Sequence, residues 1–154
     1  MNRSLIRNIT IIVCLIFIAA PSIAETTEEK NIKAIQGFFG AYANNDTQKM
    51  GEFLAEDVVW RISGRHPLSG AKHGKAEVIA FFQQLFKSNF KADPIYFGAN
   101  GDFVVDVHRG WSNVEGAANV DTMWALLYRF ENGKIAEATN LSADQDAANA
   151  FFWS

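Results

Sequence analysis

Residues 58–74, VVWRISGRHPLSGAKHG, are the stretch of sequence that decides the fold. The stretch begins as an alternating strand, in which Val58, Trp60 and Ile62 share one face. It continues as a loop with three glycines and one proline, and it ends at Gly74, where a helical pattern starts. A strand that runs into a long loop of this kind is typical of the rim of a pocket. We therefore expect one wall of a cavity here, followed by its rim.

Helical patterns lie on both sides of this stretch. Residues 27–44 carry apolar side chains at helical spacing, and Thr26 with Glu29 forms a capping box at the start. Asp46 is placed to cap a second, short helix. A third helix is predicted over residues 75–89, where phenylalanine dominates the apolar stripe.

The second half of the chain predicts consecutive strands and a closing helix. The turn signals at residues 100–102 and 131–133 join neighbouring strands as hairpins, which makes those strands antiparallel. Helices gathered at the start, followed by strands, indicate one α+β domain. The predicted strands and the closing helix are residues 95–99, 103–109, 120–130, 134–140 and 144–152.

The first 24 residues have the pattern of an export signal. Arg3 and Arg7 precede an apolar run over residues 9–20, and Ser22-Ile23-Ala24 ends in a small residue at cleavage spacing. The run is shorter than the ~20 residues that a membrane span needs. The sequence thus predicts a cleaved signal peptide at 1–24 and a periplasmic or secreted domain at 25–154, with an uncleaved N-terminal anchor as the alternative.

Composition and charge exclude several classes of function. The only cysteine, Cys14, lies inside the signal, so the mature domain has neither a disulfide nor thiol chemistry. Loss of Arg3 and Arg7 takes the formal charge from −3 to −5. A mildly acidic domain gives no electrostatic reason to bind nucleic acid.

Four segments together resemble a known family, the nuclear transport factor 2-like superfamily, in its SnoaL-like, ketosteroid-isomerase-related branch. The order and spacing of these segments carry the resemblance, which covers nearly all of the mature chain. They are AYANND at 41–46, FLAEDVVW at 53–60, PLSG at 67–70 before Gly74, and YRFENGKI at 128–135.

The resemblance implies a cone, in which a curved antiparallel sheet wraps around the N-terminal helices and encloses a ligand cavity. It also implies a homodimer formed through the outer face of the sheet. Known activities of such proteins include isomerases, polyketide cyclases, dehydratases and epoxide hydrolases, and other members only bind ligands or partners. The fold alone therefore does not decide the function.

The catalytic positions of the isomerase relatives are occupied by apolar residues in this chain. Their helix tyrosine, their general-base aspartate and their second aspartate correspond to Phe38, Ile62 and Leu126. The resemblance thus argues against steroid isomerisation by that mechanism, while it places these three side chains on the cavity wall. Strand alternation places Trp60, Trp124 and Tyr128 on the same wall. The hydroxyl groups of Tyr42 and Tyr128 are expected to be the polar groups of this otherwise apolar cavity.

Asp106 and His108 are the candidate catalytic residues. They are two apart on one predicted strand and share a face, and a carboxylate beside an imidazole can raise the basicity of the imidazole. The alternative is an exposed pair that keeps a strand soluble. Phe103, Val105 and Val107 alternate with them and favour that alternative, because apolar residues normally face the core.

The two histidines of the rim loop are weaker candidates. His66 is expected to donate a hydrogen bond to a ligand at the cavity mouth. His66 and His73 have no carboxylate or cysteine at ligand spacing, so no metal site is predicted, and no cofactor is implied.

Two functions of different classes remain open. One is a cofactor-independent lyase, isomerase or cyclase that acts on a hydrophobic carbonyl substrate. The other is a non-catalytic module that binds a small hydrophobic ligand or a partner, with no stable membrane insertion once the signal is removed. An enzyme should hold at least one titratable side chain inside the cone, whereas a binding module needs none.

Overall fold

A computed structural model describes residues 24–153 of the protein, so the predicted export signal lies almost wholly outside the described residues. The helices are α1 (Thr27–Ala43), α2 (Thr47–Glu52), α3 (Gly74–Lys87) and α4 (Gln145–Trp153). The strands are β1 (Leu54–Ile62), β2 (Gly70–His73), β3 (Lys91–Asn100), β4 (Phe103–Trp111), β5 (Asp121–Glu131) and β6 (Lys134–Ser142). Among residues 24–153, none of the helices combines the length and the apolar character that crossing a membrane requires.

The six strands form one curved sheet in the order β2-β1-β6-β5-β4-β3. The predicted α+β fold is confirmed, as are the hairpins between β3 and β4 and between β5 and β6. The expectation of a wholly antiparallel sheet is wrong at one pair, because β1 runs parallel to β6. No hairpin joins these two strands, so their relative direction is set by packing and not by a turn.

Two predicted segments differ from the observed elements. The last part of the rim loop is the strand β2, which pairs with residues 59–62 of β1. The strand β3 is twice as long as predicted, because it continues through Pro94 to Lys91. Proline is tolerated there because β3 is an edge strand, and the pairing shifts register between Pro94 and Tyr96.

The core lies between the sheet and the helices α1 and α3. The sheet face that packs against these helices is called the inner face here. Phe38 of α1 is fully buried, and its ring stacks on Trp60 of β1 with a centroid separation of 5.6 Å. Phe82 of α3 meets both rings edge-on at 5.1 Å. The helices are thus fixed to the inner face by aromatic contacts, and the candidate site is built beside this cluster.

Candidate functional site

The strand β4 presents its polar residues to the inner face. Asp106 is 1% exposed and His108 is 4% exposed, whereas Phe103 is 51% exposed and Val105 and Val107 are half-buried. The sequence-based expectation that these apolar residues face the core is therefore wrong. The orientation of β4 is set by its pairing with β5, which puts Asp106 beside Leu126 on the face that packs against α1 and α3.

A continuous chain of hydrogen bonds links three buried side chains. The Tyr128 hydroxyl donates to Asp106 Oδ2 at 2.6 Å, and His108 Nδ1 lies 2.6 Å from Asp106 Oδ1. A carboxylate accepts hydrogen bonds only, so Nδ1 carries a proton, and in the neutral imidazole Nε2 is the nitrogen with the lone pair. Burial, followed by the charge of Asp106, raises the pKa of Tyr128, so that the tyrosine stays a donor. This arrangement orients His108 as a proton acceptor at Nε2.

His108 reaches a small interior cavity of about 30 Å³. A cavity of that size has room for one or two water molecules. Its wall is mostly aromatic and apolar, and His108 is the titratable group with a free nitrogen among the wall residues. The wall consists of Phe39, Tyr42, Trp60, Phe81, Phe82, Leu85, Phe90, Ala92, His108, Leu126 and Asn140.

A larger groove adjoins this cavity. Its volume is about 290 Å³, and it lies between the C-terminal ends of α1 and α3 and the start of β3. Phe39, Tyr42, Phe90 and Ala92 belong to both walls. The outer rim of the groove is polar, with Asn45, Asn89, Lys91 and Asp93. Because the two spaces share these four residues, they are adjacent.

The predicted ligand-binding residues divide into two groups. Tyr42, Trp60 and Leu126 lie on the cavity wall. Tyr42 is not a polar tip, because its hydroxyl donates to the carbonyl of Phe90 at 2.6 Å. Burial raises the pKa of Tyr42, which keeps that hydroxyl protonated. The other predicted residues are buried and are not on the cavity wall; they are Phe38, Ile62, His66, Trp124 and Tyr128.

Trp124 owes its position to a glycine. A Cβ atom on Gly110 would overlap both the indole of Trp124 and the ring of Phe90. The absence of a side chain at Gly110 lets the Nε1–Cδ1 edge of the indole approach β4, where Trp124 is paired in register with His108. Trp124 therefore supports the site from the side, and its indole contacts the ring of Phe90 edge-on with a centroid separation of 5.7 Å.

His66 lies under the C-terminal helix, away from the cavity. Its ring packs on Phe152 of α4 with a centroid separation of 4.6 Å, and Nε2 lies 3.2 Å from the carbonyl of Ser63. Asn149 accepts a hydrogen bond from the backbone N–H of Arg65 and holds the loop to α4. Burial lowers the pKa of His66, and its bond to Ser63 opposes that shift only in part. His66 thus belongs to the seam between the loop and α4.

We expect the stability of the protein to fall as the solution is acidified through the range in which His66 gains a proton. Because the folded pKa is below the unfolded one, the unfolded state binds more protons below about pH 6.5. The stabilisation is present above that pH and is lost as the pH falls. Urea unfolding between about pH 7 and pH 5 should show a flatter pH profile for His66→Gln.

The control for this measurement is His73→Gln, which removes an exposed histidine on the same loop. Its pH profile should follow that of the wild type. Equal flattening in both variants would contradict the assignment to His66.

Other candidate groups lie outside the cavity. Arg109 points to the opposite face of β4 and forms two hydrogen bonds with Asp121, at 2.7 and 2.6 Å, so it does not assist Asp106. Within residues 24–153, no group of three or more histidine, cysteine or acidic side chains is gathered as metal ligands would be.

Sequence reasoning missed several wall residues. Phe39 and Phe82 are consecutive with other phenylalanines, so helical spacing alone does not separate a cavity position from a packed one. Phe90 follows α3 in a turn that was predicted as helix, and its position depends on the left-handed backbone of Asn89, with a φ of 49°. Asn140 ends the last predicted strand, from which the sequence places it near the cavity rim, and its pairing with Ile62 and Leu126 puts it on the inner face.

Comparison with known proteins gives a family match and several similar structures. The sequence profile of the SnoaL-like domain matches residues 35–138. The structure of Bal32a, from a soil-derived mobile gene cassette, has a TM-score of 0.78 with 21% identity, over 82% of this chain and 99% of that one. TerC, co-crystallised with polyporic acid, has a TM-score of 0.71 with 19% identity, over 81% and 99%.

A third similar structure comes from Jannaschia sp. CCS1 and is described as a candidate SnoaL-like polyketide cyclase. Its TM-score is 0.70 with 17% identity, over 85% of this chain and 97% of that one. At these identities the likeness of the three structures concerns the fold. No curated protein has a significantly similar sequence.

Proposed function

The chain belongs to the SnoaL-like domain family, and on that premise we propose that it is a small-molecule enzyme that removes a proton next to a carbonyl group. The proposed substrate is a hydrophobic carbonyl compound, and the proposed reaction is a cofactor-independent isomerisation, cyclisation or elimination. One observation carries the proposal, namely the buried chain from Tyr128 through Asp106 to His108, which ends in a free imidazole nitrogen at a cavity.

The proposed first step is a proton transfer to His108. A C–H bond next to the substrate carbonyl breaks, Nε2 takes the proton, and the electron pair moves into an enolate whose charge lies on the carbonyl oxygen. The imidazolium then returns the proton to another carbon of the enolate, to the alkoxide that forms when the enolate attacks a second carbonyl, or to a neighbouring hydroxyl group that leaves as water. Asp106 holds the ring by Nδ1 throughout and balances the positive charge that the ring acquires.

The groove and the cavity supply the two parts of a binding site. In this proposal the apolar body of the substrate lies in the outer groove and its carbonyl end enters the inner cavity. Closure of aromatic side chains around the reacting end would exclude water, which strengthens electrostatic interactions at the site. The proposal requires Phe39 and Phe90 to move, since they lie between the two spaces.

Hydrogen–deuterium exchange tests the proposal without knowledge of the natural substrate. Butyrophenone in D₂O exchanges its α-protons slowly, and NMR or mass spectrometry follows that exchange. We expect the protein to accelerate exchange well above an equal concentration of free imidazole, because the positioned base contributes about 10²–10⁴-fold. A rate equal to that of imidazole, at saturating ligand, would contradict the enzymatic function.

The size of the inner cavity favours a second candidate function. A volume of about 30 Å³ is too small for an organic substrate without rearrangement, so a filled cone with a non-catalytic role fits the closed arrangement. In that case small hydrophobic molecules would bind in the outer groove, or not at all, and no exchange would be accelerated.

We also propose that the protein is exported, as the pattern of residues 1–24 supports. The mass of the mature protein recovered from cells would test this, since cleavage after Ala24 leaves a chain of 130 residues.

The outer face of the sheet supports a proposal of a homodimer. Large apolar side chains on β4, β5 and β6 are about half exposed there, namely Phe103, Met123, Leu127 and Leu141. A contiguous patch of this kind is a common site of protein association. We expect Leu127→Lys to convert a dimer into a monomer in light scattering, because it buries a charge at the centre of the patch.

The control for the dimer is Gln36→Lys, which adds the same charge to an exposed position of α1. It should leave the mass unchanged. A wild-type protein that is monomeric at high concentration would contradict the proposal.

A further inference from the structure

Two residues on the wall of the inner cavity each have a buried polar atom without a hydrogen-bond partner among the described residues. Trp60 Nε1 and Asn140 Oδ1 are buried, and neither has a hydrogen-bond partner among the described residues. Both residues belong to the wall of the cavity that His108 reaches. Buried polar groups in proteins are nearly always paired, because an unpaired one loses its hydrogen bonds to water without replacement. An unpaired donor and an unpaired acceptor on one cavity wall therefore point to something that occupies the cavity.

Sheet register places these two residues side by side. Trp60 is paired with Ala138 and Asn140 with Ile62, so Trp60 and Asn140 are diagonal neighbours on adjacent strands and on the same face. Asn140 is also paired with Leu126, which is paired with Asp106. His108 is two strands away from Asn140, at about 10 Å between backbones, and three strands away from Trp60. Side chains that extend from these strands to the cavity wall shorten the distance that a ligand has to span.

The other indole groups provide a comparison. Trp111 Nε1 donates to Asp93 at 2.6 Å, and Trp153 Nε1 donates to the carbonyl of Arg65 at 2.7 Å. Trp124 Nε1 is also buried without a partner among the described residues, but Trp124 is not on the cavity wall. Trp60 thus combines an unsatisfied N–H with a place on the wall, which is the condition for binding a ligand there.

The chemistry of the two atoms defines the ligand. An indole N–H only donates, so its partner must be an acceptor such as a carbonyl oxygen. The Asn140 oxygen accepts, so its partner must be a donor such as a hydroxyl group. We propose that Trp60 and Asn140 form the polar recognition pair of the cavity, and that they select a compound carrying a carbonyl oxygen close to a hydroxyl or enol hydroxyl group.

This proposal rests on the proposed function and adds to it the groups that would bind the substrate. With the carbonyl held by Trp60, the hydrogen bond from the indole strengthens as negative charge develops on the oxygen. The carbon next to that carbonyl is the one whose proton His108 would take. Trp60 would then contact the reacting oxygen, and Asn140 would fix the orientation of the ligand.

Three probes of similar size distinguish these contacts. Benzoylacetone in its enol form offers a carbonyl and a hydroxyl, butyrophenone offers a carbonyl only, and butylbenzene offers neither. We expect dissociation constants, measured by NMR titration of the purified protein, to rise about 3–10-fold at each step along this series. The indole N–H resonance of Trp60 should shift with both ketones and not with butylbenzene.

Variants assign each preference to its residue. Trp60→Phe should raise the dissociation constants of both ketones about tenfold and leave that of butylbenzene unchanged. Asn140→Leu should remove the preference for benzoylacetone over butyrophenone. Trp153→Phe, which removes an indole N–H from an exposed residue that lines neither space, is the control and should leave all three constants unchanged.

Several outcomes would overturn the recognition pair. One is that butylbenzene binds as tightly as the ketones, and another is that Trp60→Phe loses affinity equally for all three probes. A third is that none of the probes binds. Exchange of butyrophenone, measured on the same samples, separates this proposal from the catalytic one. Selective binding without exchange overturns the role of His108 alone, and exchange without selectivity overturns the recognition pair alone.

Discussion

His108→Gln is expected to lower the rate of protein-catalysed α-proton exchange by about 10²–10⁴-fold, to the level of the uncatalysed reaction. Glutamine retains a group that can hydrogen-bond to Asp106, so the buried carboxylate keeps a donor, but the side chain has no basic nitrogen. The fold should therefore persist while the proton acceptor is lost. Exchange of butyrophenone followed by NMR, with circular dichroism to verify folding, measures the effect.

Asp106→Asn tests the middle member of the same series of hydrogen bonds, which runs from Tyr128 through Asp106 to His108. An amide in place of the carboxylate can donate to His108 Nδ1, which moves the imidazole proton to Nε2 and removes the lone pair from the cavity side. We expect a loss of similar size, and the double variant should lose little more, because the two residues act as one unit.

The matched control is Asp121→Asn, which makes the same chemical change on the outer face, where Asp121 pairs with Arg109. Its exchange rate should equal that of the wild type. If Asp121→Asn and Asp106→Asn lost activity equally, or if His108→Gln retained the wild-type rate, the catalytic assignment would be wrong.

Phe38→Ala is expected to have the largest effect on stability. The ring is fully buried and contacts Phe39, Trp60 and Phe82, with centroid separations of 5.1–5.9 Å. Removing a buried phenylalanine ring costs about 3–5 kcal/mol, as lost burial plus the cavity that remains. Since a domain of this kind has a free energy of unfolding of about 5–15 kcal/mol, the midpoint of urea unfolding should fall sharply.

The comparison for Phe38→Ala is Ile95→Ala, which shortens a side chain that is 59% exposed. It should change the free energy of unfolding by less than about 0.5 kcal/mol. A loss below about 1.5 kcal/mol for Phe38→Ala would contradict the close packing of this cluster. The enlarged space beside Trp60 should also admit butylbenzene more readily, which the NMR titration would detect.

Much of the fold followed from local sequence patterns. The capping box at Thr26 and Glu29 is present as predicted, and Asp46 caps α2 through the backbone N–H of Lys49. The turn signals at 100–102 and 131–133 join β3 to β4 and β5 to β6. These features depend on interactions between residues close in sequence, so the sequence alone specifies them.

The candidate site followed from the sequence only in part. Asp106 and His108 were recognised as a pair because period-two spacing guarantees a shared face. The sequence could not predict whether that face is the inner or the outer one, because β4 has apolar residues at the alternate positions. The structure exposes those apolar residues on the outer side of the sheet. Register with Leu126 and Trp124, a property of two strands, places the pair inside.

The sequence by itself thus determined the family, the α+β class and most of the helices and strands, apart from β2 and the first half of β3, since periodicity, caps and turns act over a few residues. Only the tertiary structure decided what faces the cavity. Tyr128 is hydrogen-bonded to Asp106, 22 positions away in the chain, and Asn140 lies beside Trp60 on the neighbouring strand. The Tyr42 hydroxyl does not face the cavity as a free group, because it donates to the carbonyl of Phe90. The physical reason is that burial and hydrogen bonding between distant residues depend on strand order and register, and sequence spacing encodes neither.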